Sequence, residues 1–132
     1  MPQKEIEVIL TRQLASYLAM PIFIVDPQGT LIFYNEPAEA ILGRRFEETG
    51  EMPVSEWAAV FNPTDESGAP LPPERLPLVT ALSERRPAHG SFRICGLDSI
   101  PHHIDVVAFP LLAQAGRFLG AVSVFWEDRA CE

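Results

Sequence analysis

The order of predicted elements in this sequence describes an α+β domain. It is a five-stranded antiparallel sheet with helices packed on one face, preceded by an N-terminal amphipathic helix. Three observations predict it. Two short runs of β-branched and aromatic residues flank a turn within residues 22–34. Helix-opening and helix-closing residues recur between 35 and 85, and three more strand patterns separated by turns fill residues 91–126. Helices gathered between the second and third strands of such a series belong on one face of the sheet. A chain of 132 residues is one domain by length.

Residues 3–19 predict the amphipathic helix. Ile6, Leu10, Leu14, Tyr17 and Leu18 recur at three- and four-residue spacing, with Lys4, Glu7, Arg12 and Gln13 around them, and the helix stops before Pro21. Its stripe must be covered, either by its own domain or by a second copy. Ile22 to Val25 and Leu31 to Tyr34 are strands, and Asp26-Pro27-Gln28-Gly29 is turn chemistry. Neither strand alternates apolar with polar, so both faces of the hairpin are expected to be covered. Asn35 is a good N-cap, Pro37 suits a first turn, and the helix runs to Leu42 before Gly43 ends it. Residues 55–61 make one or two helical turns offering Trp57 and Phe61 to the core. Residues 62–73 are loop, at a Pro and Gly density that no regular element tolerates. A helix follows from Glu74 to Arg85, with Pro77 in its first turn and Leu78, Val79 and Leu82 on one side. Strands are predicted at 91–95, 103–111 and 118–126, joined by turns at 96–101 and 113–117.

Composition narrows the function. With 47% hydrophobic and 21% charged residues the chain can bury a real core. Eighteen acidic against ten basic residues give a formal charge of −8 with no basic run, which argues against nucleic-acid and anionic-membrane partners. Cys95 and Cys131 are too few and too far apart for a disulfide framework, and no secretory signal opens the chain; both fit a reducing, cytoplasmic setting. The longest apolar stretch, Leu14 to Val25, is interrupted by Ser16 and Pro21 and is too short to span a bilayer.

Four motifs in order resemble the PAS family of sensory domains, of the kind found in bacterial sensor kinases and related regulators. They are IVDPQGTLIFYN at the first hairpin, Asn35-Glu36-Pro37-Ala38 opening a helix, DESGAPLPPERLPLVTAL before and into the long helix, and the ending GAVSVFWED. The resemblance covers residues 20–128, after the helix of residues 1–19, and makes 129–132 the start of a truncated C-terminal linker. It implies a non-enzymatic module that senses a small ligand, or binds none, between sheet and helices. Such a module signals through flanking helices to an effector such as a histidine kinase, in cis or as a partner protein. The abrupt ending reads as a fragment of a longer sensor, with a stand-alone regulatory domain as the competing reading.

In that fold alternate strand residues face the helices. The expected pocket comprises Phe23, Val25, Leu31, Phe33, Phe92, Ile94, Ile104, Val106, Ala108, Ser123 and Phe125, with Ala121 in the same register. Trp57, Phe61, Leu78 and Leu82 close it from the helical side, and the loop 62–73 is its mobile lid. The same residues could simply pack as core, and a one-residue slip would invert any strand. The opposite face would carry Ile22, Ile24, Val122, Val124 and Trp126, joined by Ile6, Leu10, Leu14 and Tyr17 of the first helix. Such a patch is rarely bare in a monomer, so a homodimer is expected, against the helix covering its own sheet. A ligand-free dimerisation module is the alternative function.

The cofactor stays open. A flavin–thiol adduct needs a Cys after the first hairpin, and ILGRRFEETG has none. Haem needs a His on the long helix, where residues 74–86 have none and His89 comes just after. Cys95, in a strand, reads as a small hydrophobe and not a chromophore tether. His102 and His103, near Cys95 and Asp105, are adjacent on a strand and point to opposite faces, so no metal site is assigned. No catalytic serine, phosphate loop or H-E-x-x-H occurs. An enzyme with His102 or His103 as base would want polar residues inside its cavity, and these strands offer almost none.

Overall fold

Asp26 builds the first reversal of the chain. Its Oδ1 accepts from the N–H groups of Gln28 at 2.9 Å and Thr30 at 3.0 Å, and Gly29 takes a φ of 87°, a conformation that costs glycine nothing. The hairpin so formed joins β1 (Ile22–Val25) to β2 (Leu31–Tyr34). The computed structural model describes residues 6–95 and 101–127, apart from the side chains of Ile6, Glu7, Ala15 and Pro73.

Before the hairpin comes α1 (Ile6–Tyr17). After it, α2 (Glu36–Leu42) opens on Asn35 and closes on Gly43 at φ 85°, as its capping residues dictate. A four-residue helix, α3 (Phe46–Thr49), follows where none is predicted. One turn carries no readable periodicity, and local bonds hold it: Glu48 Oε1 accepts from the Arg45 N–H at 3.1 Å, and Glu39 Oε2 from the Phe46 N–H at 2.9 Å. Then come α4 (Val54–Phe61), a 3-10 turn (Pro73–Arg75) and α5 (Pro77–Glu84). The predicted helix over 74–85 is thus split, because Leu76 takes extended backbone ahead of Pro77.

The strands β3 (Ala88–Cys95), β4 (Pro101–Leu112) and β5 (Phe118–Glu127) are longer than predicted. Ala88, His89 and Gly90 pair with Ala108, Val107 and Val106. The expected turn at 96–101 falls, up to residue 100, outside the described residues, as do Cys131 and the segment 129–132. The sheet is antiparallel in the order β2-β1-β5-β4-β3, so β5 is central and its neighbours are β1 and β4.

The sheet separates two apolar layers. On one side Phe23, Val25, Leu31, Tyr34, Phe92, Ile94, Ile104, Val106, Ala108, Ala121 and Phe125 pack against α2, α4 and α5. On the other, Ile22, Ile24, Ile32, Leu119 and Val122 pack with Val8 of α1. Phe33 corrects the expected register. Val25 pairs with Leu31 but Ile24 with Phe33, so Ile32 is an extra residue in a bulge. The bulge resets the alternation: Leu31 and Tyr34 face the helices, while Phe33 packs with the outer layer.

Candidate ligand cavity

Between the sheet and helices α2, α4 and α5 lies a cavity of about 60 Å³. Phe23, Phe92, Ile94, Ile104, Val106, Ser123 and Phe125 form its sheet wall, and Trp57, Phe61 and Leu78 face them from the helices. These ten are sequence-predicted positions that the fold brings together. Val25, Leu31 and Ala108 join the same core without reaching the cavity, Leu82 packs half-buried against it, and Phe33 lies across the sheet. Sequence reasoning missed Leu42, Ala58, Pro63, Leu76 and Pro77. Leu42 had a signal, since Ala38, Ile41 and Leu42 share one helical face and are all buried. Pro63 and Leu76 sit in irregular chain, where no periodicity marks them.

Aromatic rings set the shape. Phe23 meets Trp57 edge-on at 5.4 Å and Phe61 edge-on at 6.0 Å, and it stacks on Tyr34 at 6.2 Å. The Trp57 indole N–H donates to the Gly29 carbonyl at 2.8 Å, which fixes α4 to the hairpin turn. Tyr34 donates to the Arg44 carbonyl at 2.9 Å and lies 3.2 Å from Thr49 Oγ1, tying β2 to the α2–α3 connection. Burial pushes the Tyr34 phenol above its ordinary pKa, aided by Glu39 and Glu48 and opposed by the Thr49 bond and Arg44.

Ser123 is the polar exception in the wall. It is 5% exposed, and its hydroxyl has no hydrogen-bond partner among the described residues.

The loop over 62–73 is less loose than its composition predicts. Thr64 and Arg93 exchange backbone bonds of 2.8 and 2.9 Å, which anchors its start to β3. Asp65 Oδ1 gathers Ser67 Oγ at 2.6 Å and the N–H groups of Ser67 and Ala69 at 2.9 and 3.0 Å. The Ser67 hydroxyl, then the Ala69 N–H, holds the Asp65 carboxyl below its ordinary pKa.

On the outer face Ile22, Ile24 and Val122 are buried and Val124 half-buried, while Trp126 is exposed. The helix α1 turns Val8 to the sheet and leaves the predicted stripe uncovered by its own domain. Val8 is 4% exposed and the Arg12 guanidinium sits 4.7 Å over the Phe33 ring, whereas Leu10, Leu14 and Tyr17 are 55%, 60% and 88% exposed. The Ile6 side chain lies outside the described residues. His102 and His103 alternate on β4. His102 Nδ1 lies 2.9 Å from Glu127 Oε2, and no metal-holding group of three or more His, Cys, Asp or Glu occurs among the described residues.

An antiparallel sheet with an apolar-lined cavity beneath short helices defines the class of fold. A family model described as "PAS fold" matches residues 16–129, and the chain belongs to this family of signal-sensing domains. Solved structures agree. The PAS domain of a protein from Colwellia psychrerythraea superposes with a TM-score of 0.65 at 16% identity, over 93% of this chain and 98% of that one. The PAS domain of nitrogen regulation protein NR(II) from Vibrio parahaemolyticus gives 0.65 at 15% identity, over 90% and 98%. The Rhodobacter sphaeroides LOV protein gives 0.74 at 14% identity, over 97% of this chain and 71% of that one. At such identities the likeness is one of fold. No match was found among curated proteins. Among the described residues no helix is long and apolar enough to cross a membrane.

Proposed function

We propose that this chain is a non-enzymatic sensory module that binds a small molecule in the cavity between sheet and helices. It passes the bound state through its terminal segments to an effector, such as a histidine kinase, in cis or as a separate protein. The observation that carries this reading is the double role of β5. Ser123 and Phe125 line the cavity, while Val122 and Val124, between and beside them, belong to the layer that packs with α1. A ligand that displaces β5 therefore acts on α1 and on the chain beyond Glu127 together. It shifts the equilibrium only by its differential affinity for the two arrangements. The predominantly thiol-poor sequence supports a cytoplasmic setting.

Native mass spectrometry of the purified chain tests this reading. A low-mass adduct released on denaturation is expected. A bare chain that no small molecule stabilises against heat would contradict it.

A second reading, a ligand-free dimerisation module, is favoured by exposed apolar surface in two places. Leu10, Leu14 and Tyr17 lie bare on α1, and Val107, Phe109 and Trp126 on the part of the sheet beside it. A second copy fits both, since the stripe of each chain can cover the open sheet of the other. Leu14→Glu is expected to halve the mass seen by light scattering with the fold intact; a mass unchanged by it rules this seam out.

A further inference from the structure

Resting on the cavity as the sensing site, we infer that its occupant is a small uncharged molecule. Most of its surface is hydrocarbon, and it carries one oxygen or nitrogen that hydrogen-bonds the Ser123 hydroxyl. Among the described residues the wall contains no charged side chain. Of its polar atoms, the Trp57 indole N–H is already given to the Gly29 carbonyl at 2.8 Å. Ser123 lies on the central strand, paired with Phe23 on one side and Ala108 on the other, so its peptide groups belong to the ladder. Its hydroxyl is the hydrogen-bonding group left for a guest: Ser123 lines the cavity, and the hydroxyl bonds no other described residue.

A hydroxyl that faces an otherwise apolar cavity gains a hydrogen bond from a guest that carries a polar atom. Being both donor and acceptor, it takes an alcohol, a carbonyl or a neutral ring nitrogen equally. A carboxylate, phosphate or ammonium would enter with no counter-charge and lose its hydration, which excludes organic acids, nucleotides and polyamines as occupants. Phe23, Trp57, Phe61 and Phe125 present ring edges and faces, which suits a flat ring or a short branched chain. The cavity of about 60 Å³ is smaller than the roughly 150 Å³ that holds benzene in a protein core. A ring-sized guest therefore requires the wall to yield.

Phenol and toluene, near-equal in shape, isolate the hydroxyl, and the somewhat larger benzoate adds the charge. Each is titrated into the full chain with labelled Ile, Leu and Val methyl groups, and dissociation constants are read from Ile94, Ile104 and Val106. The same is done with Ser123→Ala. Phenol and toluene are expected to bind, with benzoate weaker than phenol by about a hundredfold or more. Ser123→Ala is expected to weaken phenol by roughly three- to tenfold and leave toluene unchanged. Benzoate binding as well as phenol, or a variant that treats phenol and toluene alike, overturns the assigned ligand class and leaves the cavity reading standing. If neither phenol nor toluene moves these methyl groups up to its solubility limit, in the chain or in the enlarged variant Phe92→Ala, the cavity reading falls and the inference with it.

Discussion

Asn35 does more than open a helix. Its Oδ1 accepts from the Ala38 N–H at 3.2 Å, which is the capping bond, and also from the Ile22 N–H at 2.9 Å, while Nδ2 donates to the Met20 carbonyl at 2.9 Å. One buried side chain thus ties α2 to the segment entering β1. The cap was legible, because Asn before Glu-Pro is a local signal. The ties to residues 20 and 22 were not, because they span the hairpin. Asn35→Ala is expected to lower unfolding free energy by about 2–4 kcal/mol in urea titrations, from the lost cap and the orphaned buried groups. A loss near 0.5 kcal/mol, within the range of an ordinary surface substitution, would show that these bonds do not hold the junction.

Tyr34 carries the pH consequence. Its folded pKa is raised, chiefly by burial, so the neutral phenol is the form the fold accommodates. The associated stability is fully present below the unfolded value of about 10 and is lost as pH rises through the higher folded value. In a Tyr17→Phe background, absorbance titration should place the remaining phenol above 10.0. A titration at or below that value would mean that Tyr34 is open to water.

At the scale of elements, most boundaries followed from capping and turn chemistry, and the misplacements have specific causes. The bulge at Ile32 is a pairing event between strands with no mark in LIFY itself, and it moved Phe33 to the outer face. The helix α3 is held by side chains of Glu39 and Glu48 and is too short for a period to show. On α1 the stripe left two covers open, and its own sheet takes Val8 and the Arg12 guanidinium over Phe33, not Leu10, Leu14 and Tyr17. Gly120 is the element-scale position to test. It has a φ of 129°, and a Cβ there would collide with the Val25 carbonyl oxygen at the end of β1. Gly120→Ala must push the two strands apart, and a loss of roughly 2–4 kcal/mol in chemical unfolding is expected. A change below 0.5 kcal/mol, again that of an ordinary surface substitution, would show that the contact relaxes without cost.

Across the whole molecule, the sheet is a partition with chemistry on one side and contacts on the other, and β5 belongs to both. That arrangement was legible in outline from the missing alternation in the first hairpin, where Ile22 and Ile24 proved as buried as Phe23 and Val25. The cavity was legible in part: ten lining residues stand at expected positions, while Leu42, Ala58, Pro63, Leu76 and Pro77 carry no strand periodicity to mark them. The most direct test is an amide correlation spectrum of the full chain titrated with phenol. Occupancy of the cavity is expected to shift Ser123 and Phe125 and, through β5, Val122, Val124 and Val8 on the far side of the sheet. Shifts that stop at the cavity wall, with Val122, Val124 and Val8 unmoved at saturation, would contradict the account.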